Sequence, residues 1–258
     1  MNQKAKENGV EIWEGAKVTG VVPQEGDCTV TFRRGEKQQS IKAGFVIGAD
    51  GAVSVVRKSL FPNLKALYAK STRECYEGSL EIEKEYVHWF FPRSRPRPRF
   101  DLCHKGEFFL LEGRNLSELK GEVRRLLADH GFDPARKPVW KDGGTVAILH
   151  DELFSGSFLP ARGNIMLIGD AAGLILPITF EGIGSTLKSG VLAADAIIHG
   201  VQRRTEAAEF YIRKLEPVLE ALRRVYKLNE ELDHATARGA IELSKSLKRA
   251  YEQALTVV

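Results

Sequence analysis

The chain has 258 residues, enough for one large domain or two small ones. Its composition, 43% hydrophobic and 28% charged, is that of an ordinary globular protein, and a net charge of +4 is too small a surplus to argue for a nucleic-acid partner. The three cysteines, Cys28, Cys75 and Cys103, have neither C-x-x-C nor Cys/His spacing, so they read as free thiols of a reducing compartment and not as a metal site.

The opening residues 1–6 are polar, with no apolar stretch behind them and hence no visible signal peptide. No apolar run reaches membrane-spanning length. The expected location is the cytoplasm, and the mild basicity suits anionic small molecules or a peripheral approach to an anionic membrane surface. Residues 1–9 end in Asn8-Gly9 and read as the tail of a helix with its C-cap. Val10–Trp13 is a short strand candidate. Residues 16–22, 28–33 and 38–43 alternate and are punctuated by Gln24-Glu-Gly-Asp27 and Arg34-Gly-Glu36, the pattern of an antiparallel meander. An apolar strand, 45–49, then stops at Asp50-Gly51, and Ser54 is placed to N-cap a helix over 55–60.

Between 66 and 112 aromatic residues rise, and 76–83, 86–91, 100–104 and 108–111 read as an antiparallel sheet. Arg93, Arg95, Arg97 and Arg99 lie in a proline-broken loop, a solvated segment or a grip for an anionic head group. Leu119, Val123, Leu126 and Leu127 mark one face of a helix over 116–130, stopped by Gly131. Thr145–Leu149 is another strand. Ile165–Ile168 is a short buried strand that ends at Gly169-Asp170. Gly173, Pro177 and Gly182-Ile183-Gly184 follow, and a helical pattern runs on to about His199. Beyond Gly200 the chain reads as helical, with Pro217 kinking one helix or starting another.

Two strand ends therefore carry Gly/Asp signals, Gly48-Ala-Asp50-Gly51 and Gly169-Asp170-Ala-Ala-Gly173. Ligands of open α/β sheets collect outside the carboxyl ends of strands, and a helix N-terminus is partly positive. An acid there can accept from sugar hydroxyls, and glycines let a ligand approach the backbone. Each Asp-Gly alone is also simple turn chemistry; two of them beside a Gly-x-Gly helix start point to one cofactor.

The first stretch resembles the Asp-Gly motif, and the second the Gly-Asp motif, of the flavoprotein superfamily built like p-hydroxybenzoate hydroxylase. Within it, GDAAG…P…EGI…KSG is most similar to the geranylgeranyl reductase-like flavoproteins. The resemblance implies an α/β fold with an α+β insertion: a partial Rossmann-like FAD-binding domain with a β-meander, an antiparallel substrate sheet and C-terminal helices. It places the FAD-binding domain at 1–65 and 151–200, the substrate sheet at 66–150 and a helical region at 201–258. It implies that Asp170 bonds the ribityl chain of FAD while Gly169 and Ala171 let it pass. Pro177 would sit near the ring, and Gly182, Ile183 and Gly184 would present N–H groups to its N1/O2 edge. Asp50 and Gly51 would lie near the pyrophosphate, with Arg57 a structural or phosphate-side partner.

The family's Tyr-x-Trp-x-Phe-Pro signature survives here as Trp89-Phe-Phe91-Pro92 with the tyrosine one place out, so Trp89 and Phe91 line the substrate face or pack the sheet. His88 is a candidate proton donor or a plain surface histidine. Glu181 faces the ring or favours the helix dipole. The substrate implied is an isoprenoid chain or another apolar molecule, reduced at C=C by hydride from flavin, with the electron donor open. Hydroxylation of an aromatic ring by the same cofactor is the alternative, as is a non-catalytic fragment or half of a split flavoprotein. No GxGxxG occurs in these residues. The resemblance therefore implies a chain that starts within the FAD domain, roughly a hundred residues in, with a separate N-terminal segment as a partner and weak FAD binding on its own.

Overall fold

The computed structural model describes residues 2–90, 100–114, 116–178 and 180–254. They divide into two compact units: Met1–Lys65, Asp151–Leu174 and Gly182–Leu219 form the first, and Ala66–His150, Ile175–Glu181 and Glu220–Val258 the second.

In the first unit, helix α1 (Asn2–Glu7) ends at Gly9, whose φ of 80° is the left-handed cap that Asn8-Gly9 predicted. The expected strand at Val10–Trp13 does not form. The Val10 N–H is taken by the Ala5 carbonyl at the helix end, and no strand ladder reaches these four residues. Trp13 instead tilts against Phe32. Strands β1 (Ala16–Pro23), β2 (Cys28–Arg34) and β3 (Lys37–Ala43) make the antiparallel meander in that order. Its turns are the two read from sequence, with Gly26 and Gly35 at φ 80° and 62°.

Strand β4 (Val46–Gly48) runs parallel to β11 (Ile165–Leu167), whose other edge pairs antiparallel with β10 (Ala161–Arg162). Ile165, Met166 and Leu167 are fully buried, which is why the sequence there is continuously apolar. Helix α2 (Val55–Leu60) follows β4, and Ser54 caps it: the Ser54 Oγ accepts from the Arg57 N–H at 2.8 Å. Helix α5 (Ile183–Arg203) follows the Gly-Asp turn and buries small residues, Ser185, Ser189, Ala193, Ala196 and Gly200.

The second unit is built on an antiparallel sheet of order β6-β7-β8-β5-β9: β6 (Val87–Phe90), β7 (Phe100–Lys105), β8 (Phe108–Gly113), β5 (Leu67–Glu77) and β9 (Trp140–Ile148). Strand β5 covers residues 67–77, where 76–83 was expected, because Gly78 at φ 121° turns the chain out of the ladder. Alternation sends Phe100, Leu102, Phe109 and Leu111 to one face, where Val123, Leu126 and Leu127 of α3 (Lys120–Asp129) close over them. Burying each such side chain contributes about 1.5–3 kcal/mol. Tyr76 stacks on Phe109, and Phe132 meets both edge-on. Helix α6 (Ala207–Arg238) holds Pro217 in its interior, and Gly239 separates it from α7 (Ala240–Ala254). This is the mixed α/β architecture with an antiparallel insertion and C-terminal helices that the sequence implied.

Candidate functional site

The two Gly/Asp loops meet in the first unit because β4 and β11 are parallel neighbours and both loops leave from their carboxyl ends. Arg57 joins them. Its side chain is 2% exposed, and its guanidinium donates to the carbonyls of Asp170 (3.3 Å), Ala171 (2.7 Å) and Ala52. A buried guanidinium needs several acceptors to offset its lost hydration, and the backbones of both loops provide them. The residue read as a structural or phosphate-side partner is thus the clamp between the two motifs.

Asp50 turns inward on its own loop. Its carboxylate accepts from the Ser54 Oγ at 2.6 Å and from the N–H groups of Val55 and Val56 at 2.6 and 3.1 Å, and Gly51 at φ 72° makes the turn that allows this. Its oxygens neutralise the first turn of α2, so Asp50 shapes the loop through hydrogen bonds within it.

On the Gly-Asp side, residues Gly169–Ala172 form one 3-10 turn, and Gly173 at φ 72° ends it. Gly169 has φ 52°, and a Cβ on it would stand 2.2 Å from Thr186 Oγ1. Its N–H donates to the Ser189 Oγ at 3.1 Å, and Thr186 Oγ1 donates to the Gly182 carbonyl at 2.6 Å. The hydroxyls of α5 thus hold the start of the helix against the turn. Asp170 is half-buried. Burial pushes its carboxyl above the ordinary aspartate range, against the pull of the Arg57 guanidinium. Ala171 is fully buried.

Gly182 is the N-cap of α5 with no side-chain cap, so Ile183 and Gly184 sit in a first turn whose N–H groups no cap side chain has taken. Ser185, Thr186 and Ser189 were not singled out in the sequence. The signal available was Ser-Thr-x-x-Ser directly after Gly-x-Gly, which sets Ser185 and Ser189 one helical turn apart with Thr186 next to them. Tyr211 was missed too: its hydroxyl donates to the Leu167 carbonyl at 2.7 Å, fixing the end of β11.

Pro177 lies in the Ile175–Glu181 segment, which belongs to the second unit. Phe180 there holds φ 58°, uncommon for a residue with a side chain, in a turn closed by its N–H to the Leu176 carbonyl at 2.9 Å. In the sheet, Trp89, Asp101 and Glu112 are direct cross-strand partners and so share one face, opposite the face that α3 covers. Burial, with Glu112 and Glu181 as neighbouring charges, pushes the Asp101 carboxyl up to about 7. His88 has the other parity, and its Nε2 is bonded to the Glu83 carbonyl at 2.7 Å. Phe91 and the arginines at 93, 95, 97 and 99 lie outside the described residues. Among the described residues no group of acids, histidines and cysteines is placed to hold a metal ion, and no helix is long and apolar enough to cross a membrane.

A family model described as FAD binding domain matches residues 1–72, which include the first of the two Gly/Asp loops. The chain is similar in sequence to geranylgeranyl reductases. It is 24% identical over 232 residues to the chloroplastic geranylgeranyl diphosphate reductase of Arabidopsis thaliana, covering 78% of this chain and 45% of that one. It is 23% identical over 271 residues to the digeranylgeranylglycerophospholipid reductase of Thermoplasma volcanium, covering 98% and 66%. Its fold matches that of a geranylgeranyl bacteriochlorophyll reductase-like protein from Thermoplasma acidophilum with TM-score 0.65 at 19% identity, over 98% of this chain and 72% of the other. The chain spans about half the length of the chloroplastic relative.

The residues fit one part of FAD. Gly169 keeps a side chain out of the turn, Asp170 offers a half-buried carboxyl, and the glycine-capped start of α5 offers N–H groups. They do not supply a phosphate cradle, since no GxGxxG is present and the Asp50 oxygens are engaged by their own loop.

Proposed function

We propose that this chain forms the flavin end of an FAD-dependent reductase acting on C=C bonds of an isoprenoid chain. The observation that carries the reading is the Arg57 clamp, which fixes the Gly-Asp turn beside the open start of α5. In it, Asp170 accepts from ribityl hydroxyls, with Gly169 and Ala171 leaving the path clear. The N–H groups of Gly182, Ile183 and Gly184 face the N1/O2 edge of the ring. A helix start there, worth about +0.5 charge, favours negative charge on that edge. Asp50 and Gly51 set the loop on the pyrophosphate side.

Bound FAD supplies the hydride chemistry, and the protein supplies orientation and electrostatics. Trp89 lines the substrate face of the sheet, where its ring offers apolar surface to an isoprenoid chain. Asp101, its cross-strand partner, keeps a proton near neutral pH on that same face and can donate it to a reduced double bond. The named substrates of the relatives support an isoprenoid chain, and their diphosphate or glycerophosphate head suits the small basic surplus.

The test is anaerobic incubation of the chain, excess FAD and dithionite with geranylgeranyl diphosphate or a geranylgeranyl lipid, read by mass spectrometry. Gain of a hydrogen pair per double bond supports the reading. A product that forms only with oxygen present would favour hydroxylation instead.

A further inference from the structure

We propose that residues 78–86 are a latch on the antiparallel sheet, held shut by a neutral His104 and released when that ring takes a proton. The segment is neither helix nor strand. Gly78, at φ 121°, turns it out of β5, and its far end runs into β6, the strand that carries Trp89. Its backbone is tied down along its length. The Gly78 N–H donates to the Glu107 carbonyl at 2.7 Å, the Leu80 N–H to the His104 Nε2 at 3.1 Å and the Glu81 N–H to the His130 carbonyl at 3.0 Å. The Glu83 carbonyl takes the His88 Nε2 at 2.7 Å. Between these ties Leu80 is 2% exposed, and Ile82 packs against the same core.

Two of these ties are histidine side chains, and they work in opposite senses. A backbone N–H only donates, so the His104 Nε2 presents its lone pair and the ring is neutral, with its proton on Nδ1. That Nδ1 is buried and has no hydrogen-bond partner among the described residues. A second proton has to land on Nε2, where it meets the Leu80 N–H donor to donor. The bond is then lost, and a half-buried cation is left without an acceptor on either nitrogen. A carbonyl only accepts, so the His88 Nε2 donates to Glu83 in either charge state of its ring. Acid therefore opens the latch at Leu80 and leaves it fastened at Glu83.

The surroundings of His104 favour the neutral ring. Burial holds it below the ordinary histidine range, Lys84 of the segment and His88 of β6 add to this, and Glu85 of the segment opposes it. From β8 the Phe109 ring faces it at 6.1 Å. Tyr76 of β5 stacks on Phe109 and turns its hydroxyl to Glu74, and Glu81 of the segment lies against Gly131. A ring harder to protonate in the closed state than in the open one fixes the sign. The latch holds above the free histidine value of about 6.5 and loses its hold as pH falls below it. The Asp101 carboxyl acts in the opposite direction, since its proton stabilises the fold at low pH. The proposal stands on the geometry of the second unit and not on the reductase reading.

The test uses the whole chain. Nitrogen-15 NMR of the histidine rings at about pH 7.5 is expected to show His104 as the Nδ1–H tautomer. Amide hydrogen exchange at Leu80 is then compared at about pH 7.5 and about pH 5.5, corrected for the intrinsic pH dependence of exchange. One unit below its free value an open histidine is protonated about ten to one, so the protection of Leu80 is expected to fall about tenfold while the β8 ladder keeps its own. His104→Gln, which offers an acceptor that does not titrate, is expected to hold Leu80 equally at both pH values, and His88→Gln to leave the response in place. An Nε2–H tautomer at His104, protection of Leu80 indifferent to pH, or a fall that persists in His104→Gln overturns the proposal. If circular dichroism shows that His104→Gln does not fold, the wild-type midpoints decide. A Leu80 response that coincides with the NMR titration of His104 supports the latch, and one with a separate midpoint overturns it.

Discussion

At Gly169 the backbone is left-handed and the space where a side chain would go is already filled by Thr186. Alanine there meets two penalties, about 1–2 kcal/mol for the left-handed conformation and about 1–3 kcal/mol for overpacking. Gly169→Ala is therefore expected to lower stability by roughly 2–5 kcal/mol and to weaken flavin binding, read from urea unfolding midpoints and a flavin titration. Asp101 gives a pH signature. Its folded carboxyl titrates near 7, above its free value, because it is buried beside Glu112 and Glu181. The folded chain then holds a proton that the unfolded chain releases. The stability this proton confers is complete below the free value and is lost as pH rises towards about 7. Asp101→Asn is expected to flatten that decline, seen as unfolding midpoints that change less than wild type between about pH 4.5 and 7.5. Neither residue's special role shows in the sequence. Gly169 reads as one glycine of a turn, and its constraint comes from Thr186, seventeen positions on. The partners of Asp101 sit on a neighbouring strand and in a distant turn, a proximity that only strand register creates.

Helix α2 shows how local signals were legible. Asp-Gly-x-x-Ser before an apolar run predicts a turn and a cap, and the structure has both, with Ser54 bonded to the Arg57 N–H and to Asp50. Ser54→Ala removes a fully buried cap and frees the Asp50 carboxylate, and is expected to cost about 1–2 kcal/mol in a urea titration. The meander was legible for the same reason: its turn glycines lie within a few residues of the strands they join. Val10–Trp13 was not, because an apolar run becomes a strand only if another strand takes its N–H groups, and here the end of α1 takes the first of them. The start of β5 was missed because Leu67-Tyr-Ala69 is a short, largely exposed apolar run followed by four polar residues, 70–73, and long pairing with β9 holds them extended in place of an apolar alternation. Parity was readable: two-residue alternation set Trp89 and Phe91 on one face, and the ladder puts Asp101 and Glu112 beside Trp89.

Across the chain, the Asp-Gly and Gly-Asp motifs agree with the FAD binding domain model that matches residues 1–72. The agreement is physical. Parallel strands β4 and β11 bring two loops to one end, Arg57 fixes them, and the glycine start of α5 faces the same end. In the function proposed above these residues face the ribityl chain and ring of FAD. The most direct measurement is a flavin fluorescence titration of the purified chain with FAD, repeated on Asp170→Ala. The account predicts a colourless protein that binds FAD weakly, with Kd on the order of 10 µM or above, and a loss of about tenfold or more in the variant, a charge-assisted hydrogen bond contributing about 1.5–3 kcal/mol. A chain that purifies yellow with stoichiometric FAD, or whose titration is indifferent to Asp170→Ala, would contradict it.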